Sequence, residues 1–174
     1  MDRKRFIVGL FTAGCFIGAY SLLPGVATAQ SDKVTTSMAS LKAKTAQLGA
    51  PKIAGKDTVA GKDVAALYFG ATKMNNSFEL VDAVVKENGG TATLFVKDGE
   101  DFVRVATNVK KDDGMRAIGT TLDPKGPVFP MIKTGKAYYG DATILGKPYV
   151  TGYEPIKGPA DEVIGIYYVG YLKQ

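Results

Sequence analysis

The chain has 174 residues, of which 45% are apolar and 22% charged, with 22 basic and 17 acidic side chains for a net charge of +5. That is the size and composition of one globular domain and argues against disorder. There is no His, no Trp and a single Cys, Cys15, which excludes a His-ligated zinc or haem, a Ser-His-Asp or Cys-His catalytic set and a disulfide framework.

Residues 1–29 read as an export signal. Asp2, Arg3, Lys4 and Arg5 make a basic start, residues 6–23 are uncharged and apolar, Pro24-Gly25 breaks the run, and Ala27-Thr28-Ala29 has the small-x-small pattern of a cleavage site before Gln30. An uncleaved anchor is the alternative, since the run approaches the roughly 17–25 residues of a spanning helix. A lipoprotein built on Cys15 is a poorer match, because Thr12 stands where a Leu belongs and the apolar sequence continues beyond Cys15. All three readings place the remainder outside the cytoplasm, in the periplasm or secreted. Removing residues 1–29 takes away Arg3, Lys4, Arg5 and Asp2, leaving 19 basic and 16 acidic residues and a net charge of +3. The basic residues are scattered, which speaks against nucleic acid. A mild positive potential favours small anions.

Residues 30–50 form an N-terminal helical segment and 51–174 the domain proper. Val34, Met38, Leu41 and Leu48 recur at roughly helical spacing with lysines between them, and Gly49 and Pro51 supply a stop, so a helix is expected over 34–48. Residues 51–63, rich in Gly and Lys, read as a loop, and 64–69 as a short strand. Ser77 is placed to cap a helix over 77–88, with Phe78, Val81, Val84 and Val85 on its apolar side. Two strands, 91–97 and 101–109, flank Asp98-Gly99, a strong hairpin signal. Within the second, period-two alternation puts Phe102, Arg104 and Ala106 on one face and Val103, Val105 and Thr107 on the other. Residues 115–136 are irregular, with one helical turn near 129–133. Three strands close the chain, at about 137–145, 147–156 and 162–171. Short turns between successive strands dictate antiparallel pairing. The expected fold is α+β: a long N-terminal helix, about five antiparallel strands and a helix packed on them.

The run from Ala92 to Gly158, followed by the segment ending at Tyr171, resembles the extracytoplasmic Cache sensor domain, in its single, Cache-three/Cache-two fusion form. The residues that carry the resemblance are Asp98-Gly99 with Phe102, Arg104 and Thr107; Asp113-Gly114 with Arg116, Ala117, Gly119 and Thr120; Tyr139-Gly140; and Gly146-Lys147-Pro148-Tyr149 with Gly152-Tyr153-Glu154-Pro155. The resemblance implies a PAS-like sheet with a small pocket on one face, and a carboxylate as ligand. In similar receptors the last strand continues into a membrane helix and signalling modules. Here the sequence ends at Gln174, so a free-standing copy is expected, without receptor, kinase or enzymatic activity.

A carboxylate pocket needs a cation, hydroxyl donors and apolar walls. Arg104 and Arg116 are the candidate cations, and Tyr139, Tyr149 and Tyr153 the candidate hydroxyls. Each has a plainer reading: a solvated strand for Arg104, a surface pair with Asp112 or Asp113 for Arg116, and strand packing for the tyrosines. Asp141 and Glu154 beside tyrosines offer an alternative cage for a cationic amine. The glycines lack the spacing of a dinucleotide loop and the aspartates that of a calcium loop, so no cofactor or metal is expected. The expected function is a periplasmic binding module for a small organic anion, feeding a signalling partner such as a membrane sensor kinase or chemoreceptor. A protein-interaction adaptor, dimerising through the N-terminal helix and taking no ligand, is the reading from another class.

Overall fold

The computed structural model describes residues 25–173. The leader expectation falls mostly on residues 1–24, outside that range. Helix α1 (Gly25–Leu48) leads into a hairpin, β1 (Pro51–Val59) and β2 (Lys62–Phe69), with the short β3 (Thr72–Lys73) added to it. Then come α2 (Glu79–Asn88), β4 (Thr91–Asp98), β5 (Asp101–Thr107), α3 (Val128–Lys133), β6 (Tyr138–Ile144), β7 (Lys147–Lys157) and β8 (Val163–Leu172). The five long strands form one antiparallel sheet in the order β5-β4-β8-β7-β6, and β1-β2-β3 form a separate small sheet. The α+β architecture expected from the sequence is the one observed.

Side chains alternate across the large sheet, and each face has its own core. Ala92, Leu94, Val96, Val103, Val105, Tyr167 and Val169 pack with Val34, Met38 and Leu41 of α1 and Val81 and Val84 of α2. Phe95, Phe102, Tyr153, Ile166 and Tyr168 face the other way, toward α3 and the 109–132 segment, with Val109, Ala117, Leu122, Val128 and Ile132. Polar ties hold α1 down as well. The Tyr171 hydroxyl donates to the Asn88 carbonyl (2.7 Å), so the Ser37 hydroxyl, 2.7 Å away, is the donor to Tyr171. Lys44 pairs with Glu87 of α2 at 2.6 Å.

Four local expectations are corrected. Residues 51–63 are a strand and its turn rather than a loop. An exposed edge strand tolerates Gly and Lys, and β1 pairs with β2 from Pro51↔Phe69 to Val59↔Lys62 around a bulge at 54–55. Helix α2 starts at Glu79 after Phe78, with no side-chain cap bond. Ser77 is not its cap. The β4–β5 turn is centred on Gly99-Glu100, since Asp98 still pairs with Asp101 and Gly99 takes φ 60°. The Asp98 carboxylate instead accepts the Ala65 N–H at 3.1 Å, joining the small sheet to the large one. Finally, a bulge in β5 opposes Leu94 to Ala106 and Phe95 to Arg104, leaving Val105 extra. Beyond it the faces reverse, so Ala106 joins Val103 and Val105 in the helix-side core, while the Thr107 hydroxyl meets that of Thr93 at 2.6 Å.

Candidate functional site

Arg104 is 4% exposed, in the middle of β5 on the face away from α1 and α2. The bulge immediately after it is the kind of irregularity that re-aims a side chain. Chain 119–122 runs back along the β5 edge. Arg104 N–H donates to the Thr120 carbonyl and Gly119 N–H to the Arg104 carbonyl, both at 2.9 Å, and Leu122 N–H donates to the Phe102 carbonyl at 2.9 Å. That pairing covers the sheet edge and brings the Thr120 hydroxyl within 2.6 Å of Arg104 Nη1. The hydroxyl donates its own proton to the Ala117 carbonyl at 2.7 Å, so it acts toward the guanidinium as an acceptor.

A cavity of about 400 Å³ opens beside this arginine. Its lining comes from three places: Arg104 and Tyr153 on the sheet, residues 121–128 between the β5 edge and α3, and the β6 end with its turn, residues 142–146. Leu122, Val128, Ala142 and Ile144 contribute apolar wall, and Thr121, Thr143 and Tyr153 are the hydroxyl-bearing residues of the lining. Arg104 and Asp123 are the charged side chains that line it.

No acidic side chain pairs with Arg104 among the described residues. Its companions are the Phe95 ring, with the guanidinium carbon 5.0 Å from the centroid, and the Thr120 hydroxyl. Its Nε is buried with no hydrogen-bond partner. Burial lowers its pKa, yet an arginine remains protonated in any ordinary solution. Tyr153 and Tyr168 stand nearby, and burial raises both their pKa values, so they remain neutral and supply no counter-charge. An isolated buried cation costs several kcal/mol unless it is paired. The guanidinium is thus a buried cation beside open volume with no acidic partner bonded to it, while the carboxylate of the lining, Asp123, belongs to an exposed turn.

Of the candidates named from the sequence, the structure brings Arg104 and Tyr153 together on the cavity. Tyr149 lines an adjoining hollow of about 300 Å³ that shares Pro127, Ala142 and Thr143 with it. Tyr139 lies on the opposite face, 46% exposed, its ring placed where a Cβ on Gly152 would come within 2.8 Å. Its hydroxyl donates to Glu154 at 2.5 Å, and Glu154 also pairs with Lys42 of α1 at 2.5 Å. Arg116 is outside the cavity lining. It grips the Asp82 carboxylate of α2 with both Nη atoms, at 2.8 and 2.7 Å, donates to the Thr107 carbonyl at 2.8 Å, and lies over the Phe78 ring at 4.6 Å. The surface pairing with Asp112 or Asp113 is thus replaced by a structural clamp between the 116 loop and α2. Asp141 pairs with Lys173 at 2.6 Å, so both carboxylates of the amine alternative already hold a lysine.

Sequence reasoning did not select Thr120, Asp123 or Thr143 as site residues. Thr120 and Arg104 meet only through the edge pairing of 119–122 with β5, for which 16 residues of separation carry no periodic signal. Asp123 opens a 123–126 turn of the Asp-Pro-x-Gly type, whose turn chemistry was legible but whose position over the sheet was not.

An antiparallel sheet with α1 and α2 on one face and, on the other, α3 and a cation-bearing cavity has the form of a ligand-binding module. The family model described as Cache 3/Cache 2 fusion domain matches residues 18–174, and the chain belongs to that family. Domains of this family are extracytoplasmic sensor modules that bind ligands and are typically non-enzymatic. A search of curated proteins found no match to the chain. None of the described helices is long and apolar enough to cross a membrane.

Proposed function

We propose that this protein binds a small carboxylate in the cavity beside Arg104 and presents the bound state to a membrane signalling partner. The observation that carries the reading is the guanidinium itself: buried, charged, without an acidic partner among the described residues, and bordering open volume. An incoming carboxylate supplies the missing charge beside the guanidinium. Tyr153 adds a hydroxyl, and the apolar walls exclude water, which strengthens the ion pair. The amine reading has less support, since Glu154 and Asp141 already hold lysines. Thermal shift of the purified protein against panels of carboxylates, amines and amino acids tests the assignment. A ligand at a hundredfold excess over its dissociation constant stabilises the native state by about 2.7 kcal/mol. Stabilisation by carboxylates that is absent in an Arg104→Met variant supports the site. Stabilisation by amines alone, or by nothing in the panel, overturns it.

A further inference from the structure

The cavity has one cation and one carboxylate, and they are placed differently. Arg104 is buried in the sheet, whereas Asp123 sits in the exposed turn at 123–126. There Asp123 Oδ1 accepts the Lys125 N–H at 2.9 Å and its carbonyl accepts the Gly126 N–H at 3.3 Å. Oδ2 makes no hydrogen bond to a described residue. No lysine lines the cavity. A ligand's first carboxylate therefore meets the arginine. A second one would meet no second cation: the rest of the lining offers apolar wall, the hydroxyl-bearing Thr121, Thr143 and Tyr153, and the like charge of Asp123. The volume, near the lower end of the ~300–1,000 Å³ usual for ligand sites, favours a small molecule.

We infer that the cavity selects a small monocarboxylate with a short apolar chain, and that Asp123 is the residue that rejects dicarboxylates. The inference rests on the anion reading above. Butyrate and succinate share a four-carbon chain and differ in the second carboxylate, so calorimetric titration of both at pH 7 isolates the effect. The wild-type protein is expected to bind butyrate at least tenfold more tightly than succinate. Asp123→Asn keeps an oxygen for the Lys125 N–H. It is expected to tighten succinate by roughly five- to tenfold, as for like charges about 5–7 Å apart at an effective dielectric of about 50, and to tighten butyrate by less, so that the preference for butyrate narrows. Asp123→Ser serves the same comparison if the Asn variant does not fold. Succinate binding as tight as butyrate in the wild type, or an unchanged ratio in both folded variants, overturns the selectivity while leaving the anion site standing. Silence of butyrate and succinate together with acetate, propionate, lactate and pyruvate overturns the anion reading and the inference with it.

Discussion

Replacing Arg104 with Met should make the ligand-free protein more stable while destroying its binding. Methionine has similar reach and no charge to desolvate. The wild-type penalty is the desolvation of one ion, several kcal/mol in a real protein interior. The unpartnered Nε adds about 1–3 kcal/mol. Against this stand the contact with Phe95, about 2 kcal/mol when desolvated, and one charge-assisted bond to Thr120, about 1.5–3 kcal/mol. Thr120 is not orphaned by the change, because it keeps its bond to the Ala117 carbonyl. Apolar replacements of buried ions are often neutral or stabilising by about 1–4 kcal/mol, and a gain of about 1–3 kcal/mol is expected here. At about 2–4 °C per kcal/mol for a domain near this size, the melting temperature should rise by roughly 2–12 °C. Differential scanning calorimetry without ligand reads the first effect. Titration with the best carboxylate reads the second, where a loss of at least about thirtyfold corresponds to the ~2 kcal/mol minimum for removing one partner of a buried charge pair. A ligand-free variant less stable than wild type would show that Arg104 is a structural group whose cost is met within the fold, and the reasoning from an unpaired cation would fail.

Tyr153→Phe should keep the packing against Tyr138 and Tyr168 and leave stability within about 0.5 kcal/mol, while weakening carboxylate binding by up to about tenfold, the worth of one hydrogen bond; titration and urea melts separate the two. Arg116→Ala should do the reverse. It removes the clamp on Asp82 and Phe78, partly exposed at 31% and 44% for the ion pair, so a loss of about 1 kcal/mol in urea unfolding is expected with carboxylate affinity unchanged. Glu154 gives a pH signature. Burial pushes its pKa up, but hydrogen bonds from Lys42 and Tyr139 and the Lys42 charge outweigh this and hold it below the ordinary 4.5. A native pKa below the unfolded one means stability present above about pH 4.5 and lost as the pH falls through the native value. Glu154→Gln should therefore flatten that part of the acid limb, and an unchanged limb in a folded variant would show that the Lys42–Glu154–Tyr139 cluster contributes nothing to holding α1.

Local chemistry alone was enough to read most of the elements. The apolar spacing of Val34, Met38 and Leu41, the Asp98-Gly99 hairpin and the alternating runs after residue 137 need only neighbours in the chain, and each became the helix, hairpin or strands they describe. Strand β1 escaped because its Gly and Lys content belongs equally to a loop, and only pairing with β2 tells them apart. The site was half legible. Arg104 and Tyr153 were named from the family resemblance together with strand alternation, and both border the cavity. Arg104 and Arg116 looked alike as sequence, a cation near a β-rich run in each case. The difference between them arises from distant chain: α2 brings Asp82 into a two-pronged pair with Arg116, while no acidic side chain among the described residues forms an ion pair with Arg104. Whether a buried charge is compensated depends on which remote groups the fold delivers to it. That is a property of tertiary packing, because Coulomb interactions act through space with no regard for separation along the chain.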